Sequence, residues 1–216
     1  MSDFEQEREE FFRHFPVSHE TRAKLDRYAE LLREWNAKFN LVSENSFLHL
    51  WRRHFLDSAQ LLKFFPKEKI IAADLGSGAG FPGIVLSILG VGKIHLVESI
   101  GKKANFLLAV IEDLKLDAQV EHKRIEDCRL KADIVTARAL KPLPELLALA
   151  KPLMKKDSFC ILLKGQHLDD ELTESTKYWR FESKTFPSLS DSSGRVLIIR
   201  KLDRQAKSHA AIRHRR

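Results

Sequence analysis

From residue 18 onward, apolar positions first recur with helical spacing. Leu25, Tyr28, Leu32, Trp35 and Phe39 stand three or four apart, which makes one stripe along a helix. Ser18 is placed to cap it, Glu20 sits in its first turn, and Asn40 closes it. A second helix is predicted from near Ser46, turning Phe47, Leu50, Trp51, Phe55, Leu62 and Phe65 inward until Pro66 stops it. An acidic helix carrying Phe4, Phe11 and Phe12 precedes both. At this spacing the aromatics read as packing contacts rather than platforms for stacking bases.

After Lys69 the rhythm changes to short apolar strands alternating with helices. The predicted strands are 70–74, 94–98, 119–122, 134–137 and 159–163, with helices at 83–89, 102–116, 143–149 and 168–177. A final antiparallel pair, 181–186 and 196–200, is joined through the turn SLSDSSGR. This order predicts an α/β fold: a Rossmann-like, mostly parallel sheet with helices on both faces and an N-terminal helical extension. The domain reading is residues 1–66 helical, 67–203 the sheet domain, and 204–216 a basic, flexible tail. Ligands of such sheets bind beyond the carboxyl ends of the strands.

The segment ADLGSGAGFPG (residues 73–83) lies at such an end, after a strand and before a helix. Gly76, Gly78 and Gly80 let the backbone turn sharply and approach a ligand. Asp74, just before them, would repel a pyrophosphate but suits a cationic sulfonium with an amino acid tail. Glu98 ends the next strand, where a carboxylate can accept ribose hydroxyls in NAD and S-adenosylmethionine alike. Ile125 and Glu126 follow the third strand, where an apolar side chain and an acid can flank an adenine. Together these favour S-adenosyl-L-methionine over NAD.

Composition narrows the setting. The 216 residues include 37 basic and 30 acidic side chains, a formal charge of +7. Five of those basic residues, with no acid, fall in RQAKSHAAIRHRR at 204–216, a stretch suited to an electrostatic arm. Cys128, among charged neighbours, and Cys160, inside the apolar run FCILLK, form no CxxC and no metal-like spacing. No metal is expected, and two separate thiols suit a reducing cytoplasm. The acidic start lacks an apolar signal core, and no run approaches the roughly 20 apolar residues of a membrane span.

The ordered set DLGSGAGFPG, LVESIGKKANFL, RIED, TARAL and LLKG, with EWNAKFNLVS and RHFLDS upstream, resembles the 16S ribosomal RNA guanine-N7 methyltransferase family, known as RsmG or GidB. The resemblance runs from about Tyr28 to Arg200. It implies that Gly76 and Phe81 contact S-adenosylmethionine, that Ile125 and Glu126 lie by its adenine, and that Arg138 lines the same pocket. It implies that Lys164 faces the reaction cleft, and that Arg53, His54 and Asp57 border it as an RHxxDS motif. Arg138 and Lys164 are thereby the candidate catalytic residues, and Arg53, His54 and Lys164 the candidate substrate contacts. The implied partner is 16S ribosomal RNA or the small ribosomal subunit, with the enzyme a monomer by default.

Guanine N7 carries a free lone pair, so such an enzyme needs no general base. Arg138 or Lys164 is expected to donate to O6 or to a phosphate, leaving N7 free. A loop guanine, splayed from its stack, meets the need for access better than a paired one. Three other readings stay open: an NAD(P)-dependent oxidoreductase, a non-catalytic RNA-binding module of this fold, and a small-molecule methyltransferase.

Overall fold

A computed structural model describes residues 3–205; residues 206–216, most of the basic tail, lie outside the described residues. Helix α1 (Asp3–His14) is followed by α2 (His19–Phe39). The Ser18 hydroxyl accepts from the Thr21 amide at 3.2 Å, and Asn40 ends the helix in the left-handed region. The apolar stripe is buried from Leu25 to Leu32, but Phe39 in the last turn is 38% exposed.

The segment up to Pro66 is not the single regular helix its pattern predicts. A short helix α3 (Glu44–Leu48) leads into a π-helical stretch, Trp51–Leu56, then α4 (Asp57–Ala59) and a 3₁₀ turn, Gln60–Phe64. This segment has two burial demands. Leu50, Trp51, Phe55 and Leu61 enter the aromatic core, while His54, Ser58 and Gln60 are buried on a second, polar front. A stripe of period 3.6 cannot serve both fronts. The wider π turn sets the Trp51 and Phe55 rings 4.4 Å apart and leaves His54 and Asp57 to face elsewhere.

The strands are β1 (Ile70–Leu75), β2 (Gly92–Val97), β3 (Ala118–Glu121), β4 (Ala132–Arg138), β5 (Met154–Lys164), β6 (Trp179–Pro187) and β7 (Arg195–Arg204). They form one sheet in the order β3-β2-β1-β4-β5-β7-β6. The first five run parallel, and β7 is antiparallel to both β5 and β6. The α/β fold is as expected, although β5 and β7 are longer than predicted. β7 reaches Arg204, whose guanidinium sits 4.8 Å above the Trp179 ring.

Alternate strand residues face two cores. Ala72, Ile94, Leu96, Ile134 and Ile161 pack with α2, α5 (Gly83–Ile88) and α6 (Gly101–Leu114). Ala73, Val97, Val135, Ala137 and Leu162 pack under α7 (Leu143–Ala150) and α8 (Leu168–Thr176). Cys160 is in this second core as expected; Cys128, despite its charged neighbours in sequence, is buried there too. The N-terminal helices share the first core with the sheet. Phe11 and Trp51 lie 5.3 Å apart, and Tyr28 lies 5.4 Å from Phe81 in the glycine segment.

One bond fastens α2 to that segment. The fully buried Tyr28 hydroxyl donates to the Ala79 carbonyl at 2.6 Å. Burial raises the phenol well above its ordinary range against the opposing pull of Arg138, so it remains a donor. Tyr28→Phe is expected to lower stability by about 1–3 kcal/mol, because the buried carbonyl loses its partner. Urea unfolding checks this as a shift in midpoint at constant slope.

Candidate functional site

The sheet reverses its winding between β1 and β4, so the crevice opens above the tips of these strands. On the β1 side lies the glycine loop. Gly76 has φ +64°, where an L side chain is strained, and a Cβ there would stand 2.5 Å from Leu140 Cδ1, which would have to shift. Gly78 has φ +59°, and a Cβ on it would meet nothing closer than the Gly76 carbonyl at 3.8 Å. That surface of the loop is therefore bare backbone facing open space.

Glu98 closes the loop from β2. Its two oxygens accept from the Gly78 amide at 2.9 Å and the Ile100 amide at 2.7 Å. Each carboxylate oxygen still has acceptor capacity for a hydroxyl. Beyond β3, Ile125 and Glu126 form a short 3₁₀ turn; Ile125 packs on the second core, and Glu126 is exposed.

Asp74 departs from its expected place. It has no exposed surface, and its oxygens accept from Thr136 Oγ1 at 2.9 Å and the Gly83 amide at 3.2 Å. It braces the loop from below, between β4 and the start of α5, rather than offering an oxygen to a ligand. Burial pushes its carboxyl up to about 6, against the pull of these donors. Thr136, which makes that brace, was not among the expected site residues.

On the β4 and β5 side lies a cleft of about 1010 Å³. It gathers Arg53, His54, Asp57, Arg138 and Lys164, the expected residues from the helical segment and the strand tips. Gly76, Gly78, Gly80, Phe81, Glu98, Ile125 and Glu126 do not line it. Between the two regions stand Arg138 and Leu140, the latter against Gly76.

Arg138 is held by the π-helical stretch. Its Nη1 donates to the Arg53 carbonyl at 3.0 Å and reaches Asp57 Oδ2 at 3.5 Å; its Nη2 donates to His54 Nδ1 at 2.5 Å. Its guanidinium lies 5.3 Å from the centre of the Phe81 ring, which also packs on the His54 ring at 4.7 Å. Burial, with Arg138 and then Arg53 beside it, pushes the His54 imidazole down to about 3. Its other nitrogen bonds Ser46 Oγ.

Asp57 connects this cluster to the β6–β7 turn. It accepts from Ser190 Oγ at 2.6 Å and from Gln60 at 2.9 Å, and burial raises its carboxyl despite Arg138. In sequence SLSDSSGR reads only as a turn; Ser190 and Arg195, which line the cleft, carry no local signal of their own. Lys164 is also engaged, with Glu171 Oε2 at 2.5 Å and the Lys141 carbonyl at 3.2 Å. The same Glu171 oxygen accepts the Leu143 amide at 2.7 Å and so fixes the start of α7.

Residues 21–198 match the family model described as GidB, rRNA small subunit methyltransferase G. The chain belongs to this family. Its members include the ribosomal RNA small subunit methyltransferase G of Caulobacter vibrioides (strain NA1000 / CB15N), 46% identical over 184 residues, 83% of this chain and 85% of that protein. The one of Bradyrhizobium sp. (strain ORS 278) is 46% identical over 199 residues, 88% of this chain and 89% of its own. Among solved structures, a TehB-like SAM-dependent methyltransferase from Corynebacterium glutamicum aligns at TM-score 0.54 and 14% identity, over 81% of this chain and 96% of that one. TYW2 of M. jannaschii, solved with AdoMet, aligns at 0.51 and 15%, over 68% and 74%. At these identities the two structures show the fold.

The family's cofactor is S-adenosylmethionine, and the site fits it: bare backbone at Gly78 beside the Glu98 carboxylate, with an apolar side chain and an acid beyond β3. No helix among the described residues is long and apolar enough to cross a membrane.

Asp74 makes stability depend on pH. Its folded value, about 6, lies above the ordinary 3.8, so the folded chain binds more protons between these values. Its burial penalty is absent below pH 3.8, grows as pH rises through the window, and is complete above pH 6. Relative to Asp74→Asn, the wild type is expected to lose about 3 kcal/mol between pH 3.5 and 7. Denaturation of both proteins across that range checks the slope.

Proposed function

We propose that this chain, an S-adenosylmethionine-dependent methyltransferase of small-subunit ribosomal RNA, methylates N7 of a guanine held in a loop of 16S RNA. The observation that carries this reading is the state of the groups best placed to serve as a base. His54 has both ring nitrogens engaged and stays neutral, and Asp57 is bonded to Arg138, Ser190 and Gln60. A nucleophile with its own lone pair suits such a site, whereas a ring N–H or a hydroxyl would call for a proton acceptor.

The cofactor supplies a methyl group made electrophilic by a cationic sulfur. In this reading Gly76, Gly78 and Gly80 hold it against bare backbone, and Glu98 accepts its ribose hydroxyls. Ile125 and Glu126 flank the adenine, and Phe81 with Arg138 walls the side toward the cleft. Asp74 keeps the loop in shape. Lys164 faces the cleft with the third of its three donors and orients the guanine through O6 or a flanking phosphate. Arg53 supplies charge for the backbone of the RNA, as would the basic residues 204–216. The setting is the cytoplasm, where ribosomal RNA is found in a bacterial cell.

Incubation with methyl-labelled S-adenosylmethionine and small subunits from cells lacking the enzyme tests the reading. Label at one loop guanine, released as 7-methylguanine, is the expected outcome; label on another atom or no transfer to ribosomal RNA contradicts it. Lys164→Ala is expected to lower kcat on the order of 100-fold through lost positioning, with cofactor Kd nearly unchanged. Calorimetry and single-turnover rates separate the two, and equal losses in both would remove Lys164 from the substrate side.

A further inference from the structure

We propose that His54 is a positioning residue that keeps the Arg138 fork away from guanine N7, an inference that rests on the N7 reading above. A guanidinium has five N–H groups in a planar fork, and Arg138 directs three hydrogen bonds into the π-helical stretch. The Arg53 carbonyl and Asp57 fill both hydrogens of Nη1, and His54 takes one of the two on Nη2, which leaves the Nε hydrogen and the second Nη2 hydrogen.

The contact at His54 dictates a tautomer. Arg138 has only hydrogens to offer, so Nδ1 must carry the lone pair and Nε2 the proton, which points to Ser46 Oγ. A charged imidazole would set N–H against N–H. The charged groups around the ring are Arg138 and Arg53, with Asp57 on the far side of Arg138, so the surroundings also oppose protonation. The ring itself is 7% exposed and fixed against Phe81, which makes it a rigid acceptor.

The chemistry explains why such a clamp is needed. An arginine whose two terminal nitrogens are unoccupied grips guanine through O6 and N7 together, and that grip consumes the lone pair the reaction requires. Arg138 stands where the cofactor side meets the cleft, so an unclamped fork would hold the substrate in a dead orientation. With Nη1 filled and Nη2 drawn to the helix by His54, the end-on fork of Nη1 and Nη2 is closed and the guanidinium cannot pivot, so the residue serves as a wall, and Asp57 offsets its charge as positive charge develops on the purine. His54 is thereby removed from the substrate contacts and assigned to the support of Arg138.

The test uses His54→Phe, which keeps a flat ring but has no acceptor, and His54→Asn, whose amide oxygen can replace Nδ1. In His54→Phe, kcat on small subunits should fall on the order of 100-fold while KM for the subunit stays level or falls, as unproductive gripping requires. His54→Asn should recover most of that loss. In the wild type without cofactor, ¹⁵N spectra of the imidazole should show one bare nitrogen, Nδ1, and a protonated Nε2, unchanged from pH 5 to 8. Wild-type kinetics in His54→Phe, equal damage in a folded His54→Asn, or a ring that titrates in that range would each overturn the proposal. Should His54→Phe fail to fold, the spectra and His54→Asn still decide. If the wild type made no 7-methylguanine, the functional reading would fall while the spectra still reported on the clamp.

Discussion

Everything at the crevice depends on a carboxylate that never meets solvent. Asp74 ties β1 to β4 through Thr136 and to the first turn of α5 through Gly83. The glycine loop is therefore stretched between three elements whose separation is set by one buried group. An ionised oxygen in such surroundings is costly, and the donors from Thr136 and Gly83 offset only part of that cost. The gain is a loop whose backbone is held open. Tyr28 completes the arrangement from above by holding Ala79, so the loop is pinned both by the sheet and by the N-terminal helices.

The helical extension is accordingly part of the site and not an ornament on the sheet. Its aromatic residues continue the core of one sheet face, and the π turn is where that packing meets polar work. Trp51 and Phe55 satisfy the core, whereas the Arg53 carbonyl, His54 and Asp57 are presented to Arg138 and to the β6–β7 turn. A π turn costs some helix regularity, and its recurrence at working sites reflects such divided demands.

Much of this was legible from the chain. Alternating strand and helix patterns, the glycine run and Glu98 are local signals, each carried by a few adjacent residues. The caps at Ser18 and Asn40 were equally local. What escaped was relational. Asp74 looks the same in sequence whether it faces a ligand or Thr136, 62 positions away. The π turn has a helical pattern, and only the second burial front, formed by strands and a hairpin far along the chain, distorts it. Lys164 reads as a cleft cation, yet its pairing with Glu171 comes from the docking of α8. Ser190 beside Asp57 is a contact over 133 positions, with nothing in SLSDSSGR to announce it.

The close approach of Leu140 to Gly76 has a consequence for how variants of this enzyme will be read. The glycine belongs to the loop after β1, but the atom a Cβ there would meet belongs to the lining of the cleft. A larger residue at 76 is strained at φ +64° and makes the tip of Leu140 shift. A substitution in the glycine loop is therefore felt at the cleft lining as well, through Leu140. The glycine loop and the cleft are thus neighbours across one leucine side chain, and a change on one side reaches the other through it.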